Sequence, residues 1–216
     1  MKPLISNNNE VKDSFEFKEF ILGQQVSSEN ECMISFDVTS LFPNIPLNET
    51  IELCEQLWTE TETMTKEALV ELLRFSTKDL SFLFNDKWYK QKDGVAMGSP
   101  LAPTLASIFM QSFENIIDQF TGSKPLVYKR YVDDIFLIFE KEDQVKPFLD
   151  YMNGIHPNIK FTMEFEQQNK ISFLDVLIKR VNHERYQTEV FRKKTDIGVY
   201  TARNSFSMVK GLIHRV

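Results

Sequence analysis

Two adjacent aspartates, Asp133 and Asp134, interrupt the stretch YKRYVDDIFLIFE, whose Tyr, Val, Ile, Phe and Leu residues otherwise read as buried strand. Taking one carboxylate out of water is costly, and a second beside it raises the cost, so such a pair persists where positive charge compensates it. A solvated turn or a bound metal supplies that compensation. A third acid, Asp37, stands near the end of the alternating segment CMISFDV. Oxygen-only ligands from a few carboxylates suit Mg²⁺, which keeps several waters and takes its remaining ligands from substrate phosphates. Two such ions about 4 Å apart stabilise both the attacking and the leaving oxygen of an in-line phosphoryl transfer. Taken singly, each aspartate also fits an ordinary turn or strand end.

The flanking sequence predicts the elements that must bring these acids together. Residues 32–38 alternate Met33, Ser35 and Asp37 against Ile34, Phe36 and Val38, a strand that the two prolines of LFPNIP then stop. Strands are expected at 127–132 and 135–139, joined at the aspartate pair, so a hairpin turn can meet the end of the first strand. A short helix is expected in FEFKEFIL, a helix capped by Asn48 running through Trp58, and a second capped by Thr65. In that second helix Leu69, Leu72, Leu73 and Ser76 share one face. SFLFNDKWYK predicts a hairpin turning at Asn85 and Asp86. GVAMGSPLAP holds two of the seven glycines and two of the eight prolines, a loop with special backbone demands. It feeds a long helix in which Leu101, Leu105, Ile108, Phe109, Ser112, Phe113 and Ile116 recur at helical spacing. A helix at 143–152, the strand KFTMEFE, and a hairpin of ISFLDVLIKRV with YQTEVFRKK complete the order. That order predicts an α+β domain built on an antiparallel sheet.

Composition narrows the class. With 216 residues, 19 of them Phe, the chain can bury a sizeable core. Two cysteines and three histidines form neither a disulfide framework nor a zinc constellation, so any metal must be held by oxygen. No apolar run approaches the roughly 18 residues of a membrane span, and an intracellular protein without a membrane partner is expected. The net charge of −6 argues against indiscriminate attraction to nucleic acid. Charge is uneven, however: Lys179 to Val216 carries nine Lys and Arg against three Asp and Glu.

SFDVTSLFPNIP, GVAMGSPLAPTLA and YKRYVDDIF, in this order, resemble the three central palm motifs of reverse transcriptases. Together with ISFLDVLIKR their wording is most similar to the Penelope-like retroelement branch, and the resemblance runs from about residue 11 to the end. It implies a right-hand polymerase palm, α+β, with an antiparallel sheet packed on helices and with fingers and thumb largely absent, as in a fragment. The implied division is a fingers or linker remnant at 1–30, the palm at 31–181, and a basic hairpin leading toward a thumb at 182–216.

The implied activity is RNA-directed DNA polymerisation by two-metal nucleotidyl transfer onto a primer 3′ end. Its partners are an RNA template, a DNA primer and deoxynucleoside triphosphates, in a nuclear setting. Asp37 and Asp133 would hold two Mg²⁺ ions, with Mn²⁺ as the alternative ion, and Asp134 would be the third carboxylate. Phe42, five residues after Asp37, matches the aromatic that blocks a ribonucleotide 2′ hydroxyl. Gly94, Gly98, Ser99 and Pro100 match a template and nucleotide platform, although Asp93 stands where many reverse transcriptases carry glutamine. Tyr131 would face the primer end, with Lys129 and Arg130 read as solvated strand residues. Phe173 and Leu174 would tip a hairpin bracing the primer, with Asp175 in a structural hydrogen-bonding role. Arg192, Lys193 and Lys194 would track phosphates. The alternative is a truncated retroelement remnant that binds nucleic acid without catalysis.

Overall fold

A strand buried between two different layers must alternate its contacts, and Cys32–Val38 (β1) does so. Ile34, Phe36 and Val38 enter one core while Met33 enters another. The computed structural model describes residues 9–59, 61, 64–78, 80–181 and 184–192. β1 is central in a four-stranded antiparallel sheet of order β4-β5-β1-β6, in which β4 is Val127–Tyr131, β5 is Asp134–Phe139 and β6 is Phe161–Phe165. Helices cover one face: α3 (Leu47–Leu57), α4 (Lys66–Thr77), α5 (Ala102–Ile117) and α6 (Val145–Ile155) all contribute buried residues to the larger core. A four-residue helix, α2 (Leu41–Asn44), links β1 to α3.

The other face is covered only in part. There Met33, Phe136 and Ile138 pack against Phe17 and Ile21 of α1 (Ser14–Leu22). They also meet Ile171, Phe173 and Ile178 of a three-stranded sheet, β7 (Lys170–Phe173), β8 (Val176–Val181) and β9 (Arg185–Val190). Phe17 anchors this second core, lying edge-on to Phe136 at 5.1 Å and 4.5 Å from Phe173. Polar groups fasten the same seam: Arg180 donates to Glu166 Oε1 at 2.8 Å and to the Glu31 carbonyl, and Tyr186 donates to the Glu31 carboxylate. The expected divisions at 30/31 and 181/182 both fall inside this packing, since α1 shares the core of β5 and the second runs between two strands of one sheet. Among the described residues no helix is long and apolar enough to cross a membrane.

Three local expectations are corrected. The helix capped by Thr65, whose Oγ1 accepts from the Ala68 N–H at 3.3 Å, buries Leu69, Leu73 and Thr77, while Leu72 is exposed and lies off the packed stripe. Asn48 does not cap α3. The N–H of Leu47, the first helical residue, instead donates to Asp93 Oδ1 at 3.1 Å, a cap supplied from 46 residues away. ISFLDVLIKRV is not the single strand that its pairing with YQTEVFRKK alone predicts: it folds back at Leu174–Asp175 into the β7–β8 hairpin, as the resemblance implied, and only its second half, β8, pairs with β9. The expected turn at Asn85–Asp86 joins β2 (Ser81–Phe84) to β3 (Lys87–Lys90), and both turn residues take positive φ.

Candidate active site

Register is what gathers the acids. Asp37 on β1 lies directly across from Asp134 on β5, and residues so opposed in an antiparallel pair point to the same face. Tyr131 on β4 opposes Asp134 from the other side, and Thr162 on β6 opposes Asp37. With Ser35 and Glu164 these residues floor an open cavity of about 700 Å³, where the β7–β9 layer no longer covers the sheet. Ser172, Phe173, Leu174 and Asp175 of the β7–β8 turn, with Phe191, form its opposite wall.

Asp133 stands in the turn between β4 and β5, outside the residues that line the cavity, but near enough for its charge to act on Asp37. Its loop has two residues, Val132 and Asp133, and Val132 has φ of 57°. Positive φ at the first loop position alone is the pattern of a type II′ hairpin, which favours glycine there. A β-branched residue in that conformation is strained by roughly 1–3 kcal/mol, so its surroundings must hold it. The Val38 N–H donates to the Asp133 carbonyl at 3.1 Å, and Arg130 Nη1 donates to the Val132 carbonyl at 3.4 Å.

Arg130 corrects the expectation of a solvated side chain. It is fully buried, and its Nε meets Glu114 Oε1 of α5 at 2.5 Å, while Glu10 lies 3.8 Å from Nη1. Its backbone is pinned as well, with its N–H donating to the Asn9 carbonyl and its carbonyl accepting from Val11. Burial pushes the Glu114 carboxyl upward against the pull of Arg130. Lys129, the other residue read as solvated, lies 4.5 Å over the Phe20 ring. Local spacing held one overlooked signal: Glu114 falls in the apolar stripe of α5, between Met110 and Ile117, where an unpaired acid would be untenable.

The donor set fits Mg²⁺ in chemistry, being carboxylate oxygen on an accessible floor. Partial burial, and then the neighbouring Asp133 carboxylate, hold the Asp37 carboxyl above its ordinary range, the mark of acids that a cation would relieve. Among the described residues no three acid, Cys or His side chains form a ready-made cage. That suits an ion bound by one or two carboxylates and completed by substrate phosphates and water.

The remaining sequence candidates separate by environment. Phe42 is half-buried against the larger core, and its carbonyl accepts from the Val95 N–H at 2.8 Å, joining α2 to the glycine loop. Gly94 has φ of 79°, and a Cβ there would sit 2.3 Å from the Pro43 carbonyl oxygen, so its identity is set by contact with α2. Gly98, with φ of 91°, would meet nothing within 4 Å. Ser99 Oγ accepts from the Leu101 N–H at 3.3 Å, and Pro100 follows it into α5. Phe173 is 2% exposed and belongs to the second core, whereas Leu174 holds φ of 54° at the hairpin tip. Asp175 lines the cavity, and its carbonyl accepts from the Phe191 N–H at 2.8 Å. Arg192 is exposed, and Lys193 and Lys194 lie outside the described residues.

Comparison with known proteins places this arrangement. Residues 3–188 match the family described as reverse transcriptase (RNA-dependent DNA polymerase). No curated protein matches the sequence. Among solved structures, the fold is similar to apo telomerase from Candida tropicalis truncated from its C-terminal domain. That match has a TM-score of 0.64 at 17% identity and covers 84% of this chain and 41% of that one. Telomerase from the same organism in complex with a TWJ fragment of telomeric RNA gives a TM-score of 0.65 at 16% identity, covering 98% and 39%. An RNA-dependent RNA polymerase of BmCPV at elongation state gives 0.51 at 16%, covering 79% and 18%. The chain spans less than half the length of these structures. The sheet and its helices are therefore a polymerase palm, and the chain belongs to the reverse transcriptase (RNA-dependent DNA polymerase) family.

Proposed function

We propose that this chain is the palm of an RNA-directed DNA polymerase of the Penelope-like branch, joining deoxynucleotides to a primer 3′ end on an RNA template. The observation that carries the reading is the register pairing of Asp37 with Asp134, beside the turn that holds Asp133, on the floor of an open cleft. Asp37 and Asp133, with Asp134 beside them, would hold Mg²⁺, which when bound supplies charge stabilisation to the attacking and leaving oxygens. The chain's own part is placement. The strained Val132–Asp133 turn fixes where the acids stand, and the β7–β8 tip opposite limits where a primer end can lie. Half-buried Phe42, close after β1, is suited to select the sugar sterically, since its packing leaves it little room to yield. Motif wording supports the Penelope-like placement and with it a nuclear site of action. A tree of reverse transcriptases that sets the chain outside that branch would remove both.

The test is primer extension on an RNA template with deoxynucleoside triphosphates and Mg²⁺. Extension should disappear on chelation and in Asp133→Asn, and an Asp133→Asn protein that still extends primers refutes the proposal. A second reading, a nucleic-acid-binding remnant without catalysis, draws on Asp133 standing outside the residues that line the cavity. Salt-sensitive RNA binding with no incorporation by the parent protein would establish it.

A further inference from the structure

Among the described residues the β2–β3 hairpin pairs with no other strand, and all eight of its strand residues are exposed. Two-stranded hairpins are marginal in water, and this one is held by cross-strand aromatics. Phe82 stacks on Tyr89 with centroids 5.6 Å apart and planes 17° apart, and Phe84 meets Tyr89 edge-on at 6.4 Å. Trp88, opposite Leu83, is 74% exposed and Phe84 is 68% exposed. An apolar surface of this kind marks a contact site.

Charge decides between partners. In sequence, Lys78, Lys87, Lys90 and Lys92 fall on the hairpin and its flanks against Asp79, Asp86 and Asp93, a small local excess of positive charge in a chain of net charge −6. Three of these lysines, Lys78, Lys90 and Lys92, line a cavity of about 380 Å³ that reaches Gly94 at the glycine loop. Protein interface cores are depleted in lysine. Aromatic faces interleaved with lysines are instead the composition of a stacking platform for unpaired bases, with ammonium groups along the phosphates. We infer that the β2–β3 hairpin binds single-stranded RNA, stacking bases on Trp88 on one face and on Phe84 and Tyr89 on the other, and leading the strand past Lys90 and Lys92 toward the glycine loop. The choice of RNA rests on the polymerase reading above, because the unpaired strand approaching such a palm is its template.

The two tryptophans make the test direct. Trp58 is half-buried, with its Nε1 donating to the Met64 carbonyl at 3.4 Å, so Trp58→Phe leaves Trp88 as the reporter. The full chain carrying Trp58→Phe and Asp133→Asn is titrated with 12-nucleotide single-stranded oligouridylate, the matching DNA oligomer and a blunt RNA duplex. Single-stranded RNA should quench Trp88 emission, with weaker effects from the other two. In anisotropy with labelled RNA, Phe84→Ala and Tyr89→Ala should each weaken binding about five-fold or more. Lys87→Gln should lower the salt slope by about 0.7, the share of one phosphate that its ammonium neutralises. Absent quenching by RNA, equal quenching by duplex, or equal quenching by DNA overturns the inference. So does a concentration-dependent Trp88 shift without RNA accompanied by dimer in sedimentation, which would assign the surface to a second copy of this chain. Absent quenching with primer extension intact in the parent protein sinks this inference alone, and retained quenching without extension sinks the polymerase reading alone.

Discussion

Arg130 and Glu114 give the sharpest test of how the Val132–Asp133 turn is held. Their side chains are 0% and 3% exposed, and the contact between them is 2.5 Å, so neither charge can be rescued by water. Replacing Glu114 by Gln keeps the shape and leaves a buried guanidinium whose remaining ion-pair partner among the described residues is Glu10, 3.8 Å away and 30% exposed. Breaking a buried pair in this way costs about 3–5 kcal/mol. For a domain of this size each kcal/mol lowers Tm by about 2–4 °C, so a fall of about 6–20 °C is expected. Thermal unfolding followed by circular dichroism reads it. The double variant Arg130→Met with Glu114→Leu removes both charges and should recover most of that stability. Extension activity should stay low in the double variant, because the Val132 carbonyl still lacks the Arg130 donor. Stability effects that merely add across the cycle, or a Glu114→Gln protein within about 2 °C of the parent, would show that the pair does not hold this turn.

Phe42→Ala should raise ribonucleotide incorporation in a competition assay, and unchanged sugar discrimination counts against a steric gate. Gly94→Ala should destabilise the fold strongly because a Cβ would lie 2.3 Å from the Pro43 carbonyl, while Gly98→Ala meets open space and carries only the backbone strain of its φ of 91°. Equal Tm decreases for the two would contradict that assignment. Burial pushes the Cys32 and Cys54 thiols up to about 11, so native protein at pH 8 should resist iodoacetamide, and both should react after unfolding. Stability should then fall as pH rises from about 9 toward 11, where only the unfolded thiols ionise. Fast labelling of the folded protein refutes the burial.

Local periodicity made much of the palm legible. The bounds of β1 follow from strict alternation, the Asn85–Asp86 turn from two residues that tolerate positive φ, and the Thr65 cap from a hydroxyl before a helical stripe. Contacts between distant segments were not legible. The Asp93 cap on α3 comes from another loop, and nothing near Asn48 reveals that its place is taken. Arg130 read as solvated because its partner belongs to a different element, and strand spacing cannot show which face a helix covers. For the candidate site, the acids stood in the sequence, but the turn expected at Asp133–Asp134 closes one residue earlier, at Val132–Asp133, which puts Asp134 in the strand opposite Asp37; the fold-back of ISFLDVLIKR came from the family resemblance and not from its periodicity.

The facing of residue 37 with residue 134 depends on phase rather than on side-chain identity alone. A strand repeats every two residues, so inserting or deleting a single residue within β1 or β5 would swing one acid through the sheet into the helix-packed interior. Evolution or engineering of this chain can therefore exchange many side chains along these strands, yet a one-residue change in strand length would disarm the cleft outright.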